Sequence, residues 1–382
     1  MRRFPTLKRI GGAGLVILVA ASACVTRQER RDFYVWLDEE PENGVAIRGV
    51  PPFSAGDSGG AAALNAIAAF WKAPGGLVSR AEVQLLDPEG LLGDTEQLTQ
   101  LADRRGLWGY AFYGSADAMK TRLTAGVPVM AIVQDDSGRR ETRRYVVVIG
   151  YHDDARQWLV LDGARRERAV DYTEFRALWR PVRQWMMTVT PPGKADWPMD
   201  VRERVALARF WERAGNWMQA IEEYRIAEKQ DPMNLDLTLA EALAWQRVGA
   251  WHQAEDLYRR VLAVDDLKAR AANNLAVVLI ESGGDLKEAE RWVRRALTIE
   301  PANPYFLDTL GHVLLDGGRP REAADVLARA RYRARQLPPP VQREIIARLI
   351  TAYRQSDQEH LARQVLEDYR RGDPEFVDPD DR

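Results

Sequence analysis

Apolar residues follow two different rhythms along this chain. Between residues 41 and 190 they gather in short unbroken runs. Val127 to Val133, Tyr145 to Ile149 and Trp158 to Leu161 are each of strand length. Gly, Asp or charged residues bound them, which predicts buried strands. Elsewhere in this region the spacing becomes helical. Leu64, Ile67, Ala68 and Trp71 fall on one side of a helix drawn over 61–71. Residues 95–105 and 115–125 read as two amphipathic helices, and Pro191-Pro192-Gly193 marks a boundary. From about residue 201 helical spacing takes over. The pattern predicts an α+β domain over 41–192 and an all-α region over 201–371. An acidic, Pro-containing end, 372–382, is expected to fray.

The helical region repeats itself. Gly215-Asn216-Trp217-Met218-Gln219-Ala220 returns as Gly249-Ala250-Trp251-His252-Gln253-Ala254, offset by 34 residues. Gly284 to Ala289 follows after 35, and Gly318 to Ala323 after 34 more. Small residues recur with the period: Ala208, Ala220 and Ala227, then Ala242 and Ala254, then Ala276, Ala289 and Ala296, then Gly311, Ala323 and Ala330. Such residues let two helices approach closely. Pro232 and Pro301 stop a helix, because Pro lacks the N–H and clashes with the preceding turn. The period and the small-residue slots resemble the tetratricopeptide repeat. Four clear units are expected, with a weaker fifth (Leu349, Tyr353, Ala362, Leu366) after an insertion at Pro338-Pro339-Pro340. The resemblance implies a solenoid whose first helices line a groove for a protein or peptide partner. The expected partner-binding residues are Arg209, Arg213, Arg247, Asn273 and His312. Arg202, Val205, Leu243, Val277 and Asp308 lie in the same slots. The Arg-rich start of the groove suggests an acidic or carboxylate-bearing segment.

The N-terminus carries an address. Arg2, Arg3, Lys8 and Arg9 precede an apolar stretch from Ile10 to Ala21, too short to cross a bilayer. It fits the central region of a secretory signal. Ala21-Ser22-Ala23-Cys24 resembles the lipobox of bacterial lipoproteins. The resemblance implies cleavage after residue 23 and a diacylglyceryl thioether on Cys24, the only cysteine in the chain. The expected place is the periplasmic side of the envelope, lipid-anchored, with Val25 favouring the outer membrane. Residues 24–40 then read as a charged tether. The net charge of −2 argues against a nucleic-acid partner, and no motif calls for a cofactor or metal.

The α+β region also carries a resemblance. Gly59-Gly60-Ala61-Ala62-Ala63-Leu64 to Trp71 is similar to the helix start of papain-like peptidases of the bacteriocin-processing C39 type. Arg144-Tyr145-Val146-Val147-Val148-Ile149-Gly150-Tyr151 resembles their His-bearing strand, and Leu161-Asp162-Gly163 their Asp position. The resemblance implies a papain-like fold over 41–192. Its nucleophile, base and orienting carboxylate would fall on Gly59, Arg144 and Asp162. Thiol proteolysis needs a thiolate, an imidazole and oxyanion donors. Gly59 has no side chain, and Arg144 stays protonated. The expected outcome is a pseudo-peptidase whose inactive cleft holds a peptide or export substrate, with Arg144 and Asp162 facing each other as an ion pair. The alternative is a hydrolase with a non-standard nucleophile, Ser58, at the start of the same helix. His152, the one His outside the repeats, sits in a turn with Asp153 and Asp154, where Asp usually serves hydrogen bonding rather than a metal.

Overall fold

The runs of Val, Met and Leu become the middle of one antiparallel sheet. The computed structural model describes residues 43–53, 59–79, 82, 95–135, 142–163 and 167–381. Cys24, Ser58 and the tether lie outside these residues. Chain contacts divide the protein into two units, Met1–Pro191 and Pro192–Arg382.

In the first unit the strands are β1 (Gly44–Ala46), β2 (Trp108–Tyr113), β3 (Val129–Asp135), β4 (Thr142–His152), β5 (Gln157–Leu161), β6 (Glu167–Asp171) and β7 (Trp185–Thr190). They lie in the order β2-β7-β3-β4-β5-β6, and β1 pairs with the far end of β4. Val129, Met130 and Ala131 on β3 and Val147 and Val148 on β4 are fully buried, as strands covered on both faces must be. Each of these Val and Met side chains contributes about 1.5–3 kcal/mol by leaving water.

Among the described residues four helices cover the sheet: α1 (Gly59–Phe70), α2 (Thr95–Asp103), α3 (Ala116–Thr124) and α4 (Tyr172–Trp179). Glycine marks one close approach. A Cβ on Gly109 would stand 3.2 Å from Ala102 Cβ and 3.4 Å from Thr99 Cα, so α2 lies directly on β2. Helix α1 is tied down at both ends of its exit. Trp71 Nε1 donates to Val189 O at 3.1 Å. The Asn65 amide exchanges hydrogen bonds with the Val78 backbone at 3.0 and 2.6 Å.

The second unit is five helix pairs: α5 (Val201–Arg213) with α6 (Trp217–Gln230), α7 (Leu235–Arg247) with α8 (Trp251–Val264), α9 (Ala269–Glu281) with α10 (Leu286–Ile299), α11 (Pro304–Asp316) with α12 (Pro320–Arg333), and α13 (Pro339–Gln355) with α14 (Glu359–Arg370). Each first helix ends in the same way. Gly215, Gly249, Gly283 and Gly318 adopt left-handed φ of 74°, 73°, 70° and 69°. The next amide then reaches back into the helix, as in Asn216 N to Trp211 O at 2.8 Å. This closes the helix with a residue free of the Cβ penalty. In the fifth pair Asp357 takes that place at φ 60°, and Gln358 N reaches Tyr353 O at 2.8 Å.

Two expectations need correction. The third unit's repeating glycine is Gly283, and Gly284 is the extra residue, inserted in the turn before the Asp285 cap. The end of the chain is not frayed. Phe376 is 2% exposed and meets the Tyr369 ring edge-on at 5.0 Å. Arg343 and Arg354 grip Asp373 and Asp378 through two hydrogen bonds each, at 2.6–2.9 Å. The acidic residues that suggested solvation are neutralised by arginines from α13.

Candidate functional site

The first candidate is the corner where α1 meets β4. An ideal Cβ on Gly59 would lie 3.4 Å from Tyr145 Cδ2, and one on Gly60 would lie 3.1 Å from Tyr145 Cζ and 3.3 Å from Leu98 Cδ2. The start of α1 therefore sits against β4, but the side chain it meets is Tyr145. That ring is 1% exposed and packs edge-on against Trp185 at 5.8 Å. Successive strand residues point to opposite faces. With Tyr145 turned toward α1, Arg144 turns away from it.

The expected triad positions do not converge. Val133 is the cross-strand partner of Arg144. Leu161 pairs with Val147, which carries Asp162 alongside Val146, two residues from Arg144. Among the described residues no ion pair joins Arg144 to Asp162, and Arg144 Nε is buried without a hydrogen-bond partner. Arg144 misses Gly59 because one residue of phase exchanges the faces of a strand, and Tyr145 takes the face toward α1. Asp153 serves hydrogen bonding: it accepts from Tyr172 Oη at 2.8 Å and pairs with Lys120. No group of three potential metal ligands occurs among the described residues.

The second candidate is the inner face of the repeats. First helices touch in succession, α7 to α9, α9 to α11 and α11 to α13. They therefore form the inner layer. Arg209 and Arg213 are exposed on α5, and Arg247 is exposed on α7 within 6.0 Å of the Trp217 ring centroid. Leu239 and Leu243 on α7 and Val277 and Ile280 on α9 are half-buried and form an apolar stretch.

The face turns polar on α9 and acidic on α11. Asn273 is buried, with Oδ1 lacking a partner. Beside it, Asn274 donates to Tyr258 Oη at 3.3 Å, which in turn bonds Gln246 at 2.7 Å. Arg348 Nη1 donates to Asp308 Oδ2 at 2.6 Å and Nη2 to Glu344 at 2.6 Å. Burial pushes Asp308 up to about 6, against the pull of Arg348. His312 lies 3.5 Å from Asp316. Burial, aided by the charge of Arg348, holds it below the usual imidazole value. Sequence reasoning reached Asn273, Asp308 and His312 through their slots. It missed Arg348, because the fifth unit's phase is hidden by the Pro-rich insertion and by Asp357 in place of glycine.

Residues 239–304 match a family model described as Tetratricopeptide repeat. No curated protein matches the chain. Among solved structures, one of Pseudomonas aeruginosa pilF is 24% identical, covering 44% of this chain and 73% of its own, with a TM-score of 0.39. Another, of MamA from Desulfovibrio magneticus RS-1, is 15% identical, covering 45% of this chain and 97% of its own, with a TM-score of 0.40. The C-terminal region of this chain is an array of tetratricopeptide repeats.

Proposed function

We propose that this chain is a scaffold that binds a protein partner along the inner face of its repeats and hydrolyses nothing. The observation that carries this is the apolar stretch Leu239, Leu243, Val277 and Ile280, left half-exposed between a basic and an acidic end. A strip of this kind loses contact with water when an amphipathic segment lies on it. Leu243→Glu with Val277→Glu is expected to abolish partner capture in cells while leaving the helix content intact. Undiminished capture would refute the reading.

The kinship of the first unit to C39-type peptidases belongs to the same proposal, as a fold kept without its chemistry. It is supported by the seating of Gly59 against β4. Gly59 offers no nucleophile, and the side chain it faces is a buried phenol. Because the Tyr145 ring and Leu98 fill the space over Gly60, the proposal assigns partner binding to the repeats rather than to a peptide cleft in the first unit. The rival reading, hydrolysis by Ser58, predicts turnover of casein or a peptide pool that Ser58→Ala removes. No turnover by either protein is expected here. We also place the chain on the periplasmic face of the envelope, tethered through Cys24. Cys24→Ser should abolish palmitate labelling and release the protein from membranes.

A further inference from the structure

The last residue of each first helix occupies one slot: Arg213 on α5, Arg247 on α7, Glu281 on α9 and Asp316 on α11. Each lies two residues before the left-handed glycine that closes its helix, and each is exposed. One edge of the inner face therefore runs base, base, acid, acid. Helix stability does not ask for this order. The C-terminal end of a helix carries partial negative charge and favours a cation, so Glu281 and Asp316 stand against the dipoles of their own helices. The other end of the same helices shows no such step. There the second residues are Arg202, Asp236, Arg270 and Tyr305, which alternate in charge and end neutral.

Leu243 and Val277 stand four residues before Arg247 and Glu281, hence on the same side of their helices, and both are half-buried. Toward the acids, Asn273 Oδ1 and Asp308 Oδ1 are buried acceptors without a hydrogen-bond partner. An occupant that brings donors suits this end. Spacing sets the occupant's form. Packed helices stand roughly 8–10 Å apart. Seven residues of α-helix advance about 10.5 Å, close to two full turns. Residues seven apart on a helical occupant therefore meet successive first helices while staying on one face.

We propose that the occupant is an amphipathic helix of a second protein. Two acidic residues seven apart lie over Arg213 and Arg247, two basic residues continue the spacing over Glu281 and Asp316, and apolar residues between them cover Leu243 and Val277. This rests on the reading that the inner face is the binding surface, and it adds which helices that surface accepts. A helix of the same composition with its charges in alternation meets like charge at two of the four places, whichever way it lies.

Two fluorescent helical peptides of one composition test this, by anisotropy against the full-length chain purified in detergent, at low salt. One carries Glu, Glu, Lys, Lys at successive seventh positions, and the other Glu, Lys, Glu, Lys at the same places. Two attractions become two repulsions in the second, so the first should bind roughly tenfold tighter. Arg247→Glu with Glu281→Arg, at two exposed positions, makes the edge itself alternate and should reverse the preference. Equal affinity for the two peptides, a preference unchanged in the variant, or no binding of either would overturn the proposal. Leu243→Glu with Val277→Glu separates the two readings. If both peptides bind equally and this pair abolishes their binding, the charge order falls and the binding surface stands; binding that survives the pair removes the surface itself. Sedimentation of the chain alone should give monomers. A dimer that the charge exchange dissociates would make the occupant a second copy of this chain and overturn the proposal.

Discussion

Gly311→Ala should weaken the fourth repeat, although alanine is normally the better helix residue by about 1 kcal/mol. A Cβ at Gly311 would stand 2.4 Å from Leu327 Cγ, 2.5 Å from Cδ2 and 2.9 Å from Cδ1. These atoms belong to one fully buried side chain, so Leu327 cannot swing into solvent. Overpacking of this kind costs about 1–3 kcal/mol, which exceeds the gain in helix propensity or cancels most of it. The third unit supplies the remedy. Ala276 and Val293 hold the same two places there, both fully buried. Leu327→Val alone should cost about 1 kcal/mol for the lost methylene and its cavity. The pair Gly311→Ala with Leu327→Val should be more stable than Gly311→Ala, giving a coupling energy that neither change shows alone. Native-state hydrogen exchange of amides in α11 and α12 reads this locally, free of the first unit's unfolding. Slower exchange in Gly311→Ala than in the wild type would refute the packing argument.

Other outcomes follow from the same geometry. Asp357→Gly, at φ 60°, should stabilise the fifth pair by about 0.5–1 kcal/mol, raising the thermal midpoint of the second unit. Phe376→Ala should cost about 3 kcal/mol and speed exchange in α13 and α14, whereas a frayed end would show no change. Asp308, raised from 3.8 to about 6 when folded, contributes stability that is complete below pH 3.8 and lost as pH rises through 6. Relative to Asp308→Asn, the wild type should therefore lose on the order of 2–3 kcal/mol between pH 4 and pH 7 in urea titrations. His312 titrates with the opposite sign, being depressed, but it is common to both proteins and cancels in the comparison.

The repeats were legible because their physics is written in residue type. A small residue at each crossing and a left-handed glycine at each turn leave a period visible without coordinates. Where residue type changes but geometry persists, the signal is lost. Asp357 does the work of glycine, and Gly284 imitates the repeating glycine while sitting one residue late. The C-terminal residues looked solvated because the arginines that hold them, Arg343 and Arg354, lie about 24 to 30 residues away in sequence. At the corner of the first unit, a match at Arg144 and one at Tyr145 look almost alike in sequence. Strand alternation puts them on opposite faces of the sheet, and only the contact of Tyr145 with Gly59 and Gly60 reveals which one faces the helix. Strands β2 and β6 escaped notice because Gly109 and the charged ends of β6 interrupt their apolar runs, and β7 because Thr188 and Thr190 break its run.

The most direct measurement places a photo-reactive residue in cells at Val277 or Leu243 on the inner face, and at exposed Gln253 on α8. A discrete adduct with a second protein is expected from Val277 and Leu243 and not from Gln253. Equal labelling at Gln253, or no adduct from either inner position, would contradict binding along the inner face of the repeats.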